Sequence, residues 1–238
     1  MSFTKFVFAT DVHGDMQCPE ANAVLFNFID VYKPKLRVFG GDLWDFRAIR
    51  RGASDDEKQE SMSADYVAGI NWLKRFKPHY FLRGNHDERL WELAAKRKGP
   101  CSDYAFSGVV EVTTLTEKMR CKMLPYHHRD GILKIGHMKM LHGFHAGINA
   151  ARQTALVYGS ALFGHVHTID EHSIPGLERD FISFSMTGRT FAIATSTISV
   201  MSNCESSESD SNSVTDVADS RNCFKIFFSF SPVFTAHL

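Results

Sequence analysis

The sequence predicts an α/β protein built as a two-sheet β-sandwich flanked by helices. Three observations lead there. Strand-like and helix-like segments alternate over the first hundred residues, short strand-like runs crowd together from about 101 to 142, and a helix and another short run follow. Strict alternation builds layers, because every apolar sheet face needs helices or a second sheet to cover it. With 238 residues, 44% hydrophobic and 23% charged, the chain can bury one sizeable core.

The elements read as follows. "FTKFVFA" (3–9) is a strand rich in Phe and Val. Pro19 and Glu20 open a helix whose apolar side is Val24, Leu25, Phe28, Ile29 and Tyr32. "LRVFG" (36–40) is a second buried strand. Ser54 with Glu57 has the spacing of a capping box, and the helix after it is expected to bury Met62, Val67, Ile70, Leu73 and Phe76 before stopping ahead of Pro78. "HYFL" is the third strand, and "ERLWELAAKRK" a helix ended by Gly99-Pro100. "VVEVTTL", "CKMLPY", "GILKIG" and "MKMLHG" read as short strands, "GINAARQTALVYG" as a helix and "SALFG" as a strand.

The composition changes near residue 180. Residues 1–180 hold eight serines and residues 181–238 hold thirteen, so the main domain is placed at 1–180. Residues 181–201 are expected to supply terminal strands of the same domain. The polar, acidic stretch 202–222 reads as a disordered linker, and 223–238 returns to apolar, strand-like character.

Charge and cysteine content narrow the function. Lys+Arg and Asp+Glu are both 27, so no global field draws the chain to nucleic acid or an anionic membrane; "RAIRRG" (47–52) is the best local basic patch. No apolar run is long enough to span a bilayer, and the start of the chain does not read as a signal peptide. Five scattered cysteines with no C-x-x-C pair fit free thiols in a reducing compartment, so a cytoplasmic location is expected.

The chemistry collects where the apolar runs end. Asp11 and His13 follow the first, Gly41, Asp42 and Asp45 the second, and Asn85, His86 and Asp87 the third. His142-Gly143 closes "MKML", and Gly164, His165 and His167 close "SALF". In layered α/β folds these strand ends converge on the ligand crevice. In extended chain, residues two apart point the same way, which would pair Asp11 with His13 and His165 with His167. Carboxylates, imidazoles and one amide, without a thiolate, suit Mn, Fe or Zn, and there are donors enough for two ions sharing Asp42.

In order, "DVH", "GDLWD", "GNHD", "LHG" and "GHVH" resemble the motif set of the calcineurin-like metallophosphoesterase family. The resemblance covers residues 11–167 and implies a four-layer α/β/β/α fold and two divalent ions, Mn before Fe or Zn. Asp11, His13, Asp42 and His167 would hold one ion, and Asp42, Asn85, His142 and His165 the other. A hydroxide bridging them would attack a phosphomonoester or phosphodiester, with His86 serving the leaving group, Asp45 orienting His86, and Asp87 capping the next helix. A nuclease of the same chemistry and a non-catalytic scaffold are the alternative readings. Protein phosphatases of the superfamily carry Arg directly after the second acid of G-D-x-x-D; Phe46 stands there, which argues against that branch. Arg47, one place later, is the expected substrate contact. Trp44 and Phe46 could stack on a substrate, though a core role for at least one is expected.

Overall fold

Strand β1 (Thr4–Ala9) shows how the layers arise. Its side chains alternate, so Phe6 and Phe8 point to one face while Val7 and Ala9 point to the other, and all four are buried. A strand buried on both faces must lie between two layers. Phe6 and Phe8 pack with Val38, Leu82 and Leu124 against Met138, Met140, Leu162 and Phe184 of a second sheet. Val7 and Ala9 pack under helices, with Leu25, Phe26, Ile29, Trp72, Leu73 and Phe76. The computed structural model describes residues 4–96, 98–176, 181–186, 191–196, 214–219 and 222–227.

The first sheet contains β1, β2 (Leu36–Phe39), β3 (Tyr80–Leu82) and β4 (Lys122–Leu124), all parallel. Helices α1 (Pro19–Tyr32), α2 (Asp55–Lys58), α3 (Met62–Phe76), α4 (Asn85–Lys96) and α5 (Pro100–Lys118) fall between these strands. The second sheet contains β5 (Leu133–Ile135), β6 (Met138–Met140), β7 (Ala161–Phe163), β8 (Asp170–Ile174) and β9 (Phe181–Ser185), in the order β5-β6-β7-β9-β8. Between β6 and β7, helix α6 (Ala150–Tyr158) covers the outer face through Ala150, Ala151 and Tyr158 against Ala161 and Phe163. Strand β10 (Phe191–Ser196) returns to the first sheet, antiparallel to β1, with Thr4 opposite Ser196. The architecture is the expected one, two sheets face to face with helices outside. Among the described residues no helix is long and apolar enough to cross a membrane.

Several local expectations differ. "VVEVTTL" is the second half of α5, not a strand. Helix α4 ends at Lys96, ahead of Gly99-Pro100, and the same pair starts α5, with Gly99 as cap and Pro100 in the first turn. Ser102, Ala105, Gly108, Val112 and Thr116 then form a buried stripe of small side chains at helical spacing. The hydroxyls of Ser107, Thr114 and Thr116 donate to carbonyls four residues back, which satisfies them inside the helix. Val67 on α3 is exposed, and Tyr66 takes the core position one residue earlier. On α1, Phe26 is buried and Val24 exposed. The capping box of Ser54 and Glu57 is present, on the single-turn α2. Of the expected linker, 202–213 lies outside the described residues. Its later part holds strand β11 (Val214–Asp219), paired antiparallel with β12 (Asn222–Phe227). Residues 228–238 also lie outside.

The sandwich interior yields a direct test. Phe8 is fully buried between the sheets, so Phe8→Ala should cost about 3–5 kcal/mol in urea denaturation. Val67→Ala, on the exposed face of α3, should stay within about 0.5 kcal/mol. Equal losses at the two positions would contradict this layering.

Candidate metal centre

The expected site residues meet at one end of the sandwich, on the loops that follow β1, β2, β3, β6 and β7. The loops are sewn together through their backbones. Asp11 N donates to Gly41 O (2.9 Å), Val12 N and His13 N to Asp42 O (2.9 and 3.0 Å), and Gly14 N to Leu43 O (2.8 Å). On the other side of the crevice, Gly164 N donates to His142 O at 2.7 Å, and His165 N to Asp11 Oδ1 at 3.1 Å.

These loops are not extended, as the D-x-H and H-x-H spacing alone implies. Asp11, His13, Asp42, Phe46, His165 and His167 all have positive φ. The three other non-glycine residues with positive φ, Lys33, Lys77 and Arg120, follow the ends of helices. Left-handed backbone outside such caps costs energy and persists only where surrounding contacts over-determine it. Here it turns the chain tightly enough for Asp11 and His13 to reach one point. Space is equally tight. A Cβ on Gly84 would stand 2.0 Å from Asp42 Oδ1, and one on Gly164 would stand 2.5 Å from Asp11 Oδ2.

Among the described residues three donor groups result, two of which share Asp42. One atom each from Asp11, His13, Asp42 and His167 lie within 4.8 Å of one another, as do atoms from Asp42, His142 and His165. Asp42 belongs to both. Asn85 Oδ1 joins the second group, 3.0 Å from His142 Nε2 and 2.8 Å from His165 Nδ1. In the first group, His13 Nε2 and His167 Nε2 are 3.0 Å apart, and His167 Nε2 is 3.6 Å from Asp11 Oδ1.

Whether this donor set fits a metal ion can be judged at Asp42. Its Oδ1 accepts from His86 N at 2.9 Å, but its Oδ2 is buried without a hydrogen bond. The nearest polar neighbour of Oδ2 is His142 Nε2 at 3.1 Å. In the neutral ring, with His142 Nδ1 donating to Gly40 O at 2.8 Å, Nε2 presents a lone pair. Nε2, Asn85 Oδ1 and Asp42 Oδ2 thus converge as acceptors, and such an arrangement calls for a cation. Electrostatics agree. Burial opposes charge on His142, yet Asp42 lifts its pKa to about 9, so the ring takes up a proton that a cation held by the same donors would displace. His165 moves the other way, down to about 4, through burial and the proximity of His142, and it is therefore a neutral donor at neutral pH. Burial raises Asp11. Asp42 stays well below the carboxylate range because His142 outweighs its burial.

His86 belongs to neither group that contains Asp42; with His13 and Asp45 it forms the third. Its Nδ1 is 2.5 Å from Asp45 Oδ1, and its Nε2 is 3.9 Å from Asp42 Oδ2. Although burial opposes it, the His13 imidazole 3.7 Å away and hydrogen bonds from His86 and Arg47 hold Asp45 far below the usual carboxylate range. Arg47, expected as a substrate contact, has all three nitrogens engaged, Nη1 with Asp45 Oδ2 (3.0 Å), Nη2 with Asp15 (3.1 Å) and Nε with Glu60. Trp44 and Phe46 are both fully buried and stack at 5.6 Å, so neither is free for a substrate.

The sequence reading missed three residues, or misassigned them. Asp87 is not the cap of α4, which begins at Asn85 and has Asp87 inside its first turn. Its carboxylate accepts from Asp42 N, Leu43 N, Trp44 N and Gly84 N at 2.8–3.2 Å. Burial and the charge of Asp42 push its pKa up to about 7, against the amides that favour its charged form. Asp65 lies on the buried face of α3 and accepts from Asp45 N and Phe46 N at 3.3 and 2.6 Å. An acid inside an apolar helical stripe was the available signal. Arg89, three residues past His86 and so on the same face of α4, donates from Nη1 to Asp45 O at 2.6 Å.

The profile of calcineurin-like phosphoesterases matches residues 4–168. The chain belongs to the calcineurin-like phosphoesterase family. That family consists of metal-dependent phosphoester hydrolases, with some non-catalytic members. No curated protein matches the sequence significantly. Among solved structures, similar chains include a metallophosphoesterase from Sphaerobacter thermophilus (13% identity, 82% of this chain and 84% of that one, TM-score 0.47). Others are the phosphoesterase Yfce from E. coli (11%, 82% and 92%, 0.41) and the nuclease MPE from Pseudomonas putida (13%, 80% and 84%, 0.36).

The bracing carboxylate can be tested apart from activity. Asp87→Ala leaves four buried amides without an acceptor. At about 1–3 kcal/mol for each unsatisfied group, partly relieved by relaxation, it should cost at least about 3 kcal/mol by urea denaturation. A loss below about 1 kcal/mol would show that these loops hold without it.

Proposed function

We propose that the chain hydrolyses a phosphomonoester or phosphodiester with the help of two divalent metal ions. The observation that carries this reading is the shared, half-unsatisfied carboxylate of Asp42 between two converging donor groups. Asp11, His13, Asp42 and His167 would hold one ion, and Asp42, Asn85, His142 and His165 the other. Mn²⁺ suits these mixed oxygen and nitrogen donors, and Fe or Zn would fit them too. When bound, such ions acidify water for attack on phosphorus and neutralise the charge that develops on the phosphoryl oxygens.

The protein's own residues handle the leaving group. Asp45 engages His86 Nδ1, which orients the ring and leaves Nε2 facing the crevice. A proton held at Nε2 can pass to the departing oxygen, and the charged Asp45 stabilises the imidazolium that carries it. Arg47 fixes Asp45 from the other side, and Arg89 ties down its backbone. A cytoplasmic setting is part of the proposal, consistent with Cys18, Cys101 and Cys121 as free thiols.

Metal dependence is the first check. EDTA should abolish release of p-nitrophenol from mono- and bis-p-nitrophenyl phosphate, and Mn²⁺ should restore it, with about two ions bound per chain. The two substrates separate monoesterase from diesterase, and turnover of neither by metal-loaded protein would favour a non-catalytic scaffold. Asp42→Asn should lose both ions. His86→Ala should keep them and slow turnover on the order of 10²–10⁴-fold; loss of metal from that variant would make His86 a ligand instead.

Arg47 is the second check. As a substrate contact it should affect the natural substrate more than p-nitrophenyl phosphate, mainly through KM. Because its nitrogens already bind three carboxylates, we expect Arg47→Ala to lower kcat for both substrates alike, by releasing Asp45 and His86. A KM effect confined to the natural substrate would restore the contact role.

A further inference from the structure

The basic stretch singled out in the sequence, "RAIRRG", is largely neutralised in the fold. Arg47 pairs with three acids and Arg50 with Glu57. Among the described residues, a cluster of unpaired positive charge lies at the opposite end of the molecule, where the parallel strands begin and helices α1, α3 and α5 finish. Lys5 and Lys122 stand at the starts of β1 and β4. Lys33 and Lys77 cap α1 and α3, Lys35 precedes β2, and Arg120 follows α5. All six are exposed. Among the described residues, Lys and Arg ion pairs involve Arg47, Arg50, Lys58, Arg83 and Arg89, and none of these six. Asp30 and Glu117 are the acids nearest in sequence to these helix ends, so among the described residues the cluster carries an excess of positive charge.

Helix dipoles explain part of this pattern, since cations are favoured at helix C-termini. They do not explain Lys5 and Lys122, which lie on strands, or Lys35, which lies between a helix and a strand. Catalysis does not explain it either. The six residues of β1, at about 3.3 Å each, put this face roughly 20 Å from the metal-site loops. Among the described residues, exposed apolar side chains are scarce there. Val31 is the large one beside the basic residues, whereas Met16, Val67, Phe106, Ile148 and Leu156 lie elsewhere. A surface that binds bilayers buries apolar side chains among its cations, while one that binds nucleic-acid backbone needs charge alone.

We infer that the end formed by Lys5, Lys33, Lys35, Lys77, Arg120 and Lys122 binds the phosphate backbone of a nucleic acid, away from the metal centre. Binding of this kind is insensitive to sequence and steeply dependent on salt. It is independent of the catalytic reading, because it needs no metal.

Fluorescence anisotropy with the full chain in EDTA and a labelled DNA strand of about 20 nucleotides tests it, because hydrolysis is then switched off. The decisive variant is Lys33→Glu/Lys35→Glu/Lys77→Glu/Arg120→Glu. Its control, Lys96→Glu/Lys98→Glu/Arg152→Glu, reverses exposed charges elsewhere, and both are checked for an unchanged Tm. The patch variant should weaken Kd at least about tenfold and flatten the slope of log K against log salt by up to about 3, at roughly 0.7 per lost phosphate contact. The control should do neither. Absent binding by the wild type, or equal losses in patch variant and control, would overturn the inference. So would capture by phosphatidylserine vesicles without binding to DNA, which would make this a membrane-facing surface. If the patch variant fails to fold, Lys5→Gln/Lys122→Gln is read by the same salt slope.

Discussion

The crevice depends on one buried carboxylate. Asp87 gathers the amides of Asp42, Leu43 and Trp44 from the loop after β2 and that of Gly84 from the loop after β3. That single group fixes the position of Asp42 relative to Asn85 and His86, residues that are more than forty apart in sequence but share one site. Because Asp42 O accepts from Val12 N and His13 N, the β1 loop inherits the same reference point. The second sheet joins through Asp11, whose carboxylate receives His165 N. Placement thus passes from Asp87 to Asp42, to Asp11, to His165, by hydrogen bonds to charged or backbone acceptors, which are stronger than neutral side-chain pairs.

Such bracing explains how the site tolerates its backbone. Six non-glycine residues with positive φ in three loops, at about 1–3 kcal/mol each, are a large local cost for a domain of ordinary stability. Asp and His accept that conformation better than branched residues do. The cost is offset where the layers interlock. Trp44 and Phe46 flank the strained loop and are fully buried beside Tyr66, and Asp65 beneath them accepts from Asp45 N and Phe46 N. The core and the site are therefore one structure at this end, and Phe46 serves as an anchor at a place where sequence position alone suggests a substrate contact.

Legibility in the sequence followed the strength of the periodic signal. The β1 run and the apolar sides of α1 and α3 were readable because burial on two layers leaves a clear pattern, down to one misplaced position, Val67 for Tyr66. The donor residues were readable because each stands directly after an apolar run. What failed was context. "VVEVTTL" has β-branched residues that favour strands locally, and only the upstream Gly99-Pro100 start and the spacing of small residues make it helical. The roles of Arg47, Asp65 and Asp87 depend on partners far along the chain, which no local pattern encodes. The geometry behind D-x-H was also misread, since it rests on left-handed turns that spacing cannot reveal.

The same topology separates charge along the molecule. Parallel strands joined through helices put every strand end, and hence the acidic donor loops, on one face. The helix ends and strand starts fall on the other. Among the described residues, carboxylates at the first face attract cations, and the unpaired lysines and arginines at the second attract anions. The arginines near the crevice do not blur this division. Arg47 and Arg89 are spent on Asp45 and its neighbours, holding the residue that orients His86. Their positive charge is consumed in building the site, and the cations that the donor groups call for must come from solution.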